Sequence, residues 1–339
     1  MSSGTLLAGL PGRLAALPAN DPLAPRRARA ALVAEIGRSL AGAGRDAALT
    51  FGRPCPACGS SAPSRHAVVR APVFDFHKCG VCTLVYTPRL IRDDVIRARF
   101  RETTLARTRF RQLRAESETV DPESYAAILD RVLDHTPSRA AAIDVGCGFG
   151  TLAAALLPRF DETLGLELDP RVAEVAARRH GVAVKTVRLE ELVRPDSSVD
   201  VVTLNGVLEE VADLDSLFVA ARRILRPGGV IYAGTTHGAS IGLGVLGGRH
   251  PAVATHARVN LFTTRALGLV ARRHGFVVRS LGTRDDVDLS IADWALAALP
   301  GAAALGLTLD RFARSLASRW RLPSRHARGA TLELIATRA

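Results

Sequence analysis

Ala140-Ala-Ala-Ile-Asp-Val-Gly-Cys-Gly-Phe-Gly150 is the stretch on which the fold turns. Ala140 to Val145 has the length and apolar composition of a buried strand. It runs into glycines at 146, 148 and 150 before a helix-like segment resumes at Thr151. Glycines let the backbone of such a turn approach a ligand closely, and the N–H groups they expose can meet a carboxylate or phosphate. Asp144 sits at the strand end, and a second strand, Glu162 to Leu168, carries Glu167 near its own end.

The alternation continues downstream. Thr151 to Leu157 reads as a helix, Arg171 to His180 as the next, and Ala183 to Val187 and Val199 to Leu204 as strands. A helix from about Leu214 to Leu225 stops at Pro227-Gly228-Gly229, before a strand at Val230 to Gly234. Thr264 to His274 forms a helix ending at Gly275, and Phe276 to Ser280 begins another strand. The alternating run Thr331 to Thr337 is expected to return to the sheet as its last strand, antiparallel. Repeated β-α units with apolar strands predict an α/β fold, a parallel sheet covered by helices on both faces. Ligands of such sheets bind outside the carboxyl ends of the strands, where Gly146, Glu167, Asn205 and Gly234 would gather.

A chain of 339 residues, 47% of them hydrophobic, has room for one large core and a smaller unit. Lys and Arg outnumber Asp and Glu by 45 to 33, a formal charge of +12 carried almost entirely by arginine. That excess suits a polyanionic partner or an Arg- and Ala-rich compositional habit. No run of apolar residues is long enough for a membrane span, and Leu6 to Leu10 follows no basic segment, so a cytoplasmic location without membrane contact is expected.

Four units are expected. Residues 1–50, punctuated by Pro11, Pro18, Pro22 and Pro25, read as a flexible arm with one helix from Pro25 to Leu40. Residues 51–88 hold two C-x2-C pairs. Residues 89–139 read as a helical linker or cap, in which Asp121-Pro122-Glu123 starts a helix striped by Tyr125, Ile128, Leu129, Val132 and Leu133 that covers one edge of the ligand pocket. Its basic part, Arg89 to Arg114, is a solvated face or a surface for an acidic substrate or RNA. Residues 140–339 form the core. Within it, the glycine-rich connection 235–263 reads as a lid loop and 284–330 as a helical insertion completing the substrate pocket or a homodimer surface.

Cys55-Pro-Ala-Cys58 and Cys79-Gly-Val-Cys82 are separated by twenty residues. Each two-residue spacing lets a turn bring both thiolates to one ion, and four sulfurs complete a tetrahedral zinc site. An iron–sulfur centre is the rival, which two separated knuckles favour less. Few apolar residues lie between the pairs, so metal binding would also be folding energy.

The runs Asp144-Val-Gly-Cys-Gly-Phe-Gly150, Gly165-Leu-Glu-Leu-Asp-Pro170, Asn205-Gly-Val-Leu-Glu-Glu-Val211 and Leu225-Arg-Pro-Gly-Gly229 together resemble class I S-adenosylmethionine-dependent methyltransferases. The two cysteine knuckles with Leu261-Phe-Thr263 look like the subgroup with an amino-terminal zinc unit, which includes methyltransferases acting on sugars and other natural-product intermediates. The resemblance implies a Rossmann-like sheet and S-adenosylmethionine as cofactor. By position, Gly146, Gly148 and Gly150 would pass beneath the methionyl part and Asp144 would orient its ammonium group. Glu167 would accept from the ribose hydroxyls, Arg188 and Leu189 would flank adenine, and Asn205 would lie below the reacting methyl. Arg188 stands where the family has an acid, and Glu210 where it often has histidine. Cys147 is expected to pack against the sheet. Glu210 reads as a solvated acid or as a group that faces the substrate and takes its proton. His256 is the other candidate base, since its ordinary pKa suits proton transfer near neutrality. The function expected is methyl transfer to a small-molecule substrate, a sugar or other natural-product intermediate. The alternatives are an RNA methyltransferase and a non-catalytic, zinc-stabilised binding or assembly protein.

Overall fold

The computed structural model describes residues 24–64, 66–98, 106–107, 110–111, 114, 117, 120–250, 252–284 and 331–339. The arm before residue 24 and residues 285–330 of the expected insertion lie outside them. In chain order, α1 (Ala24–Ser39) buries Leu32, Val33 and Ile36 on one face. Five short strands follow: β1 (Thr50–Gly52), β2 (Val69–Arg70), β3 (Asp75–Lys78), β4 (Val85–Tyr86) and β5 (Arg89–Ile91). β1 pairs antiparallel with β5, and β2, β3 and β4 form an antiparallel ribbon, so the cysteine unit slightly overruns its expected limits.

A turn of 3-10 helix over Pro122–Tyr125 leads into α2 (Ala126–Leu133). Asp121 caps it by accepting the Glu123 N–H at 3.0 Å, and Pro122 takes the first position, where a missing N–H costs nothing. Ile128, Leu129 and Val132 are buried, as the stripe predicts.

The core then alternates through β6 (Ala141–Val145), α3 (Thr151–Leu156), β7 (Glu162–Leu166), α4 (Pro170–His180), β8 (Ala183–Lys185), β9 (Val199–Asn205), α5 (Leu214–Ile224) and β10 (Leu225–Thr236). After these come α6 (Ile241–Leu246), β11 (Asn260–Leu261), α7 (Thr264–Arg273), β12 (Phe276–Arg284) and β13 (Thr331–Arg338). Seven strands make one sheet in the order β12-β13-β10-β9-β6-β7-β8. β6 to β10 are parallel, and β13 runs antiparallel between β10 and β12. Strand order reverses at β6, which puts the switch between β6 and β9, where a ligand crevice forms in such sheets. The expected Rossmann-like architecture is therefore the observed one.

Both sheet faces are covered, which is why the strands are apolar throughout. Ala142, Val201 and Tyr232 meet Leu129 of α2 and Leu156 of α3 on one face. Ile143, Val202 and Leu204 meet Phe218 of α5 and Leu267 of α7 on the other. Complete burial of a side chain such as Phe218 contributes about 1.5–3 kcal/mol.

Two expectations change. Pro227-Gly228-Gly229 does not form a separate turn: β10 begins at Leu225, and these residues lie in the register irregularity between Leu225 and Val230. The connection 235–263 is not a bare loop either. It carries α6 and β11, and β11 pairs with β4 of the cysteine unit, so this stretch is packed between the two units.

Candidate functional site

β6 and β9 lie side by side, so their carboxyl ends bring Asp144 and Asn205 to the same edge. Beyond Val145 the chain turns through Gly146, Gly148 and Gly150, with φ of +63°, +55° and +85°. At Gly146 the left-handed backbone and the packing agree, because an added Cβ would lie 2.7 Å from Cγ2 of Val207. A cavity of about 250 Å³ opens over this turn, its lining including Tyr125, Asp144, Gly146, Gly148, Phe149 and Asn205. Tyr125 comes from the capped turn before α2, so that helix does cover one edge of the pocket.

Asp144 is the unusual group. It is buried, its Oδ1 accepts the Thr203 hydroxyl at 2.6 Å, and its Oδ2 has no hydrogen-bond partner. Burial pushes its carboxyl up to about 7, against the opposing pull of the Thr203 hydroxyl and the weaker pull of the Ala153 backbone. A buried oxygen left without a donor costs about 1–3 kcal/mol, a deficit that a ligand N–H would remove. The residues therefore fit a ligand carrying an ammonium group.

Glu167 stands just past the end of β7. Its Oε2 accepts the Gly148 N–H at 3.1 Å and its Oε1 accepts the Asp169 N–H at 2.9 Å, so it braces the glycine turn. Asp169 caps α4 by accepting the Arg171 N–H. Cys147 is buried, and Gly165 leaves the room for its Sγ, where an added Cβ would come within 2.7 Å. Burial raises its thiol pKa, which suits packing rather than attack.

The other expected residues fall outside the cavity lining. Gly150 precedes α3 and packs on Ala176. Arg188 is exposed, while Leu189 is 1% exposed within the core. His256 is half-buried in the turn before β11. Glu210 is exposed, and the acid turned inward is its neighbour. Glu209 is 2% exposed and accepts the hydroxyls of Thr235 at 2.7 Å and Thr236 at 2.9 Å, with Arg258 Nε at 3.6 Å. Thr203 was not singled out in the sequence, where a threonine inside an apolar strand carries no mark of the carboxylate it faces.

The second site is the cysteine cluster. All four sulfurs lie within 4.8 Å of one another, with Cys55–Cys82 and Cys58–Cys79 both at 3.5 Å. A tetrahedral zinc with bonds of about 2.3 Å would set sulfurs about 3.8 Å apart, so the cluster fits such an ion. The Cys82 hydrogen bond and burial push the Cys55 thiol up, and the same bond pulls the Cys82 thiol down to about 5. His77 is not part of it: its Nδ1 is 2.9 Å from the Ser64 carbonyl.

A family model described as a methyltransferase domain matches residues 114–281. Among curated proteins, the chain is 34% identical over 119 residues to an uncharacterised 37.1 kDa protein in a transposon of Streptomyces fradiae, covering 33% of this chain and 34% of that one. It is 35% identical over 99 residues to the ubiquinone biosynthesis O-methyltransferase of Cupriavidus pinatubonensis, covering 27% and 40%. The chain thus spans about a third to a half of the length of the curated relatives it matches. A solved S-adenosylmethionine-dependent methyltransferase from Archaeoglobus fulgidus superimposes with a TM-score of 0.47 at 15% identity, covering 67% of this chain and 98% of that one. Among the described residues no helix is long and apolar enough to cross a membrane.

Proposed function

We propose that this chain is an S-adenosylmethionine-dependent methyltransferase acting on a small-molecule intermediate, a sugar or other natural-product precursor, with a zinc ion held by Cys55, Cys58, Cys79 and Cys82. The observation that carries the reading is the buried, unpartnered Oδ2 of Asp144 beside a cavity floored by the glycine turn. The methyltransferase-domain match over 114–281 spans that turn and β9. The likeness to ubiquinone biosynthesis O-methyltransferases supports a small acceptor.

When bound, the cofactor supplies an electrophilic methyl group on a sulfonium. Asp144 would hold its ammonium group, and the turn at Gly146, Gly148 and Gly150 would let backbone approach the methionyl part. Glu167 would serve the ribose hydroxyls, Arg188 and Leu189 the adenine, and Asn205 the end nearest the acceptor. Alignment and exclusion of water do most of the work in such a transfer. A base adds about 10²–10⁴-fold when the acceptor must lose a proton, and Glu210 and His256 are the candidates. Glu210→Gln and His256→Gln each test one of them: normal turnover with an unchanged pH profile removes that residue from the mechanism.

Native mass spectrometry of the full chain, with and without S-adenosylmethionine, tests the whole reading. One zinc and one cofactor per chain is the expected result. Zinc without cofactor, in folded protein, would overturn the methyltransferase and leave a metal-stabilised binding protein.

A further inference from the structure

The loop after β9, residues 206–213, begins at Asn205 in the cavity and carries Val207, whose Cγ2 fills the space above Gly146. The core holds part of it: the Gly206 N–H donates to the Gly234 carbonyl at 2.7 Å, and the Glu209 carboxylate accepts the Thr235 and Thr236 hydroxyls. The rest of its restraints come from β11 and from the cysteine unit.

Asn260 of β11 donates from Nδ2 to the carbonyls of Leu208 at 2.9 Å and Val211 at 2.7 Å. The N–H groups of Val259 and Asn260 both reach the Glu209 carbonyl, at 2.7 and 3.0 Å. Arg53, two residues before the first metal-binding cysteine, completes the connection. Its guanidinium donates to the carbonyls of Thr87 at 3.0 Å, Ala212 at 3.2 Å and Val259 at 2.8 Å, and to Oδ1 of Asn260 at 2.9 Å. It also lies 5.7 Å from the centre of the Tyr86 ring. One planar fork therefore ties together both sides of the cysteine unit, β11 and the cavity loop, a pattern that lysine cannot reproduce.

The metal bears directly on this fork. Arg53 sits beside Cys55 on the first knuckle, whereas Thr87 and Tyr86 follow Cys82 on the second. An ion joining the knuckles fixes the two sides that Arg53 bridges. Without it, the two sides are joined by the β1–β5 pairing and the Arg53 N–H to the Pro88 carbonyl at 2.9 Å, a looser frame from which to hold the loop.

We propose that Arg53 and Asn260 are positioning residues that latch loop 206–213 to the cysteine unit, so that filling the cysteine cluster and filling the cofactor cavity strengthen each other. The second half rests on the methyltransferase reading; the latch itself does not. Coupling of this kind is reciprocal, so whatever factor zinc adds to cofactor affinity, the cofactor adds to zinc affinity.

The test uses full-length, zinc-loaded protein and the variants Arg53→Ala, Arg53→Lys and Asn260→Ala. Arg45→Ala serves as a control, since it removes an ion pair to Asp75 inside the same unit. Hydrogen exchange of the 206–213 amides should quicken about tenfold or more in Arg53→Ala and Asn260→Ala and on chelation of the zinc, but not in Arg45→Ala. Arg53→Lys, the mildest change, should show the same loosening to a smaller degree with its zinc retained. S-adenosylhomocysteine should bind the wild type about fivefold or more tighter than either alanine variant, and should raise zinc affinity against a chelator by a similar factor in the wild type alone. Wild-type protection of 206–213 in all three variants overturns the latch. Loosening of 206–213 with cofactor and zinc affinities independent of each other overturns the coupling. Should the wild type bind no S-adenosylhomocysteine while its loop still loosens without zinc, the methyltransferase reading falls and the latch stands.

Discussion

Asp144 links a single proton to both stability and binding. Its carboxyl pKa is raised from an ordinary value of 3.8 to about 7, so the folded chain binds the proton more tightly than the unfolded one. The resulting stability is fully present below the ordinary carboxylate pKa and is lost as pH rises through about 7. Asp144→Asn removes the titration. The unliganded wild type should therefore lose stability relative to Asp144→Asn between pH 4 and pH 7, read by urea unfolding at each pH (about these limits follow from the two pKa values). A cationic ligand reverses the preference, because it favours the carboxylate. Affinity for S-adenosylhomocysteine should fall about tenfold per unit below pH 7 in the wild type and stay flat in Asp144→Asn. Gly146 offers a second test at this scale. Gly146→Ala meets both a left-handed φ and the Val207 side chain, and should cost about 1–3 kcal/mol. Adding Val207→Ala should recover the contact but not the backbone strain, so chemical denaturation of the double variant should show only part of the loss restored.

At the scale of elements, Asp200 registers β9 against the start of β6. It is fully buried, its Oδ2 accepts the Ala141 N–H at 2.8 Å, and its Oδ1 accepts from Ser138 at 2.5 Å and Arg226 at 2.6 Å. Asp200→Ala leaves the Ala141 N–H without its acceptor and the half-buried Arg226 guanidinium with only the Ser138 hydroxyl at 3.1 Å, and should cost about 1–3 kcal/mol by urea unfolding. Asp200→Asn keeps one acceptor oxygen and should cost clearly less. The elements themselves were largely legible in the sequence, because period and punctuation are local properties. Three glycines after an apolar run give β6 and its turn, and the alternation of 331–337 gives an antiparallel last strand. The role of 235–263 was not legible, since β11 is only two residues long and its partner β4 lies far away along the chain. Nor was the choice between Glu209 and Glu210. Adjacent acids differ in burial through the local backbone, here a loop whose carbonyls Asn260 holds and whose Glu209 meets two threonine hydroxyls of β10, a distant strand in sequence.

The whole molecule follows from where the cysteine unit packs. Cys55, Cys82, Leu84 and Tyr86 share one apolar cluster with Leu208, Leu214 and Phe262 of the core. A strand of the core, β11, also extends the unit's own sheet, and Arg273 of α7 reaches the Ala57 carbonyl at 2.9 Å. Separate domains unfold in separate steps when few contacts cross between them. Here the shared cluster means that loosening the unit uncovers core surface, while the core cannot melt without releasing β4 and the knuckles. The zinc-loaded chain should therefore show one calorimetric transition in which the unit and the sheet unfold together. Because zinc binding to cysteines is also folding energy, chelation should move that whole transition downward rather than remove a small first step. Cys79→Ser should place the transition near the chelated position even with zinc present. Two transitions, with only the smaller one sensitive to chelator, would mean that the unit folds independently of the sheet it packs against. The shared cluster would then be a contact surface between two domains.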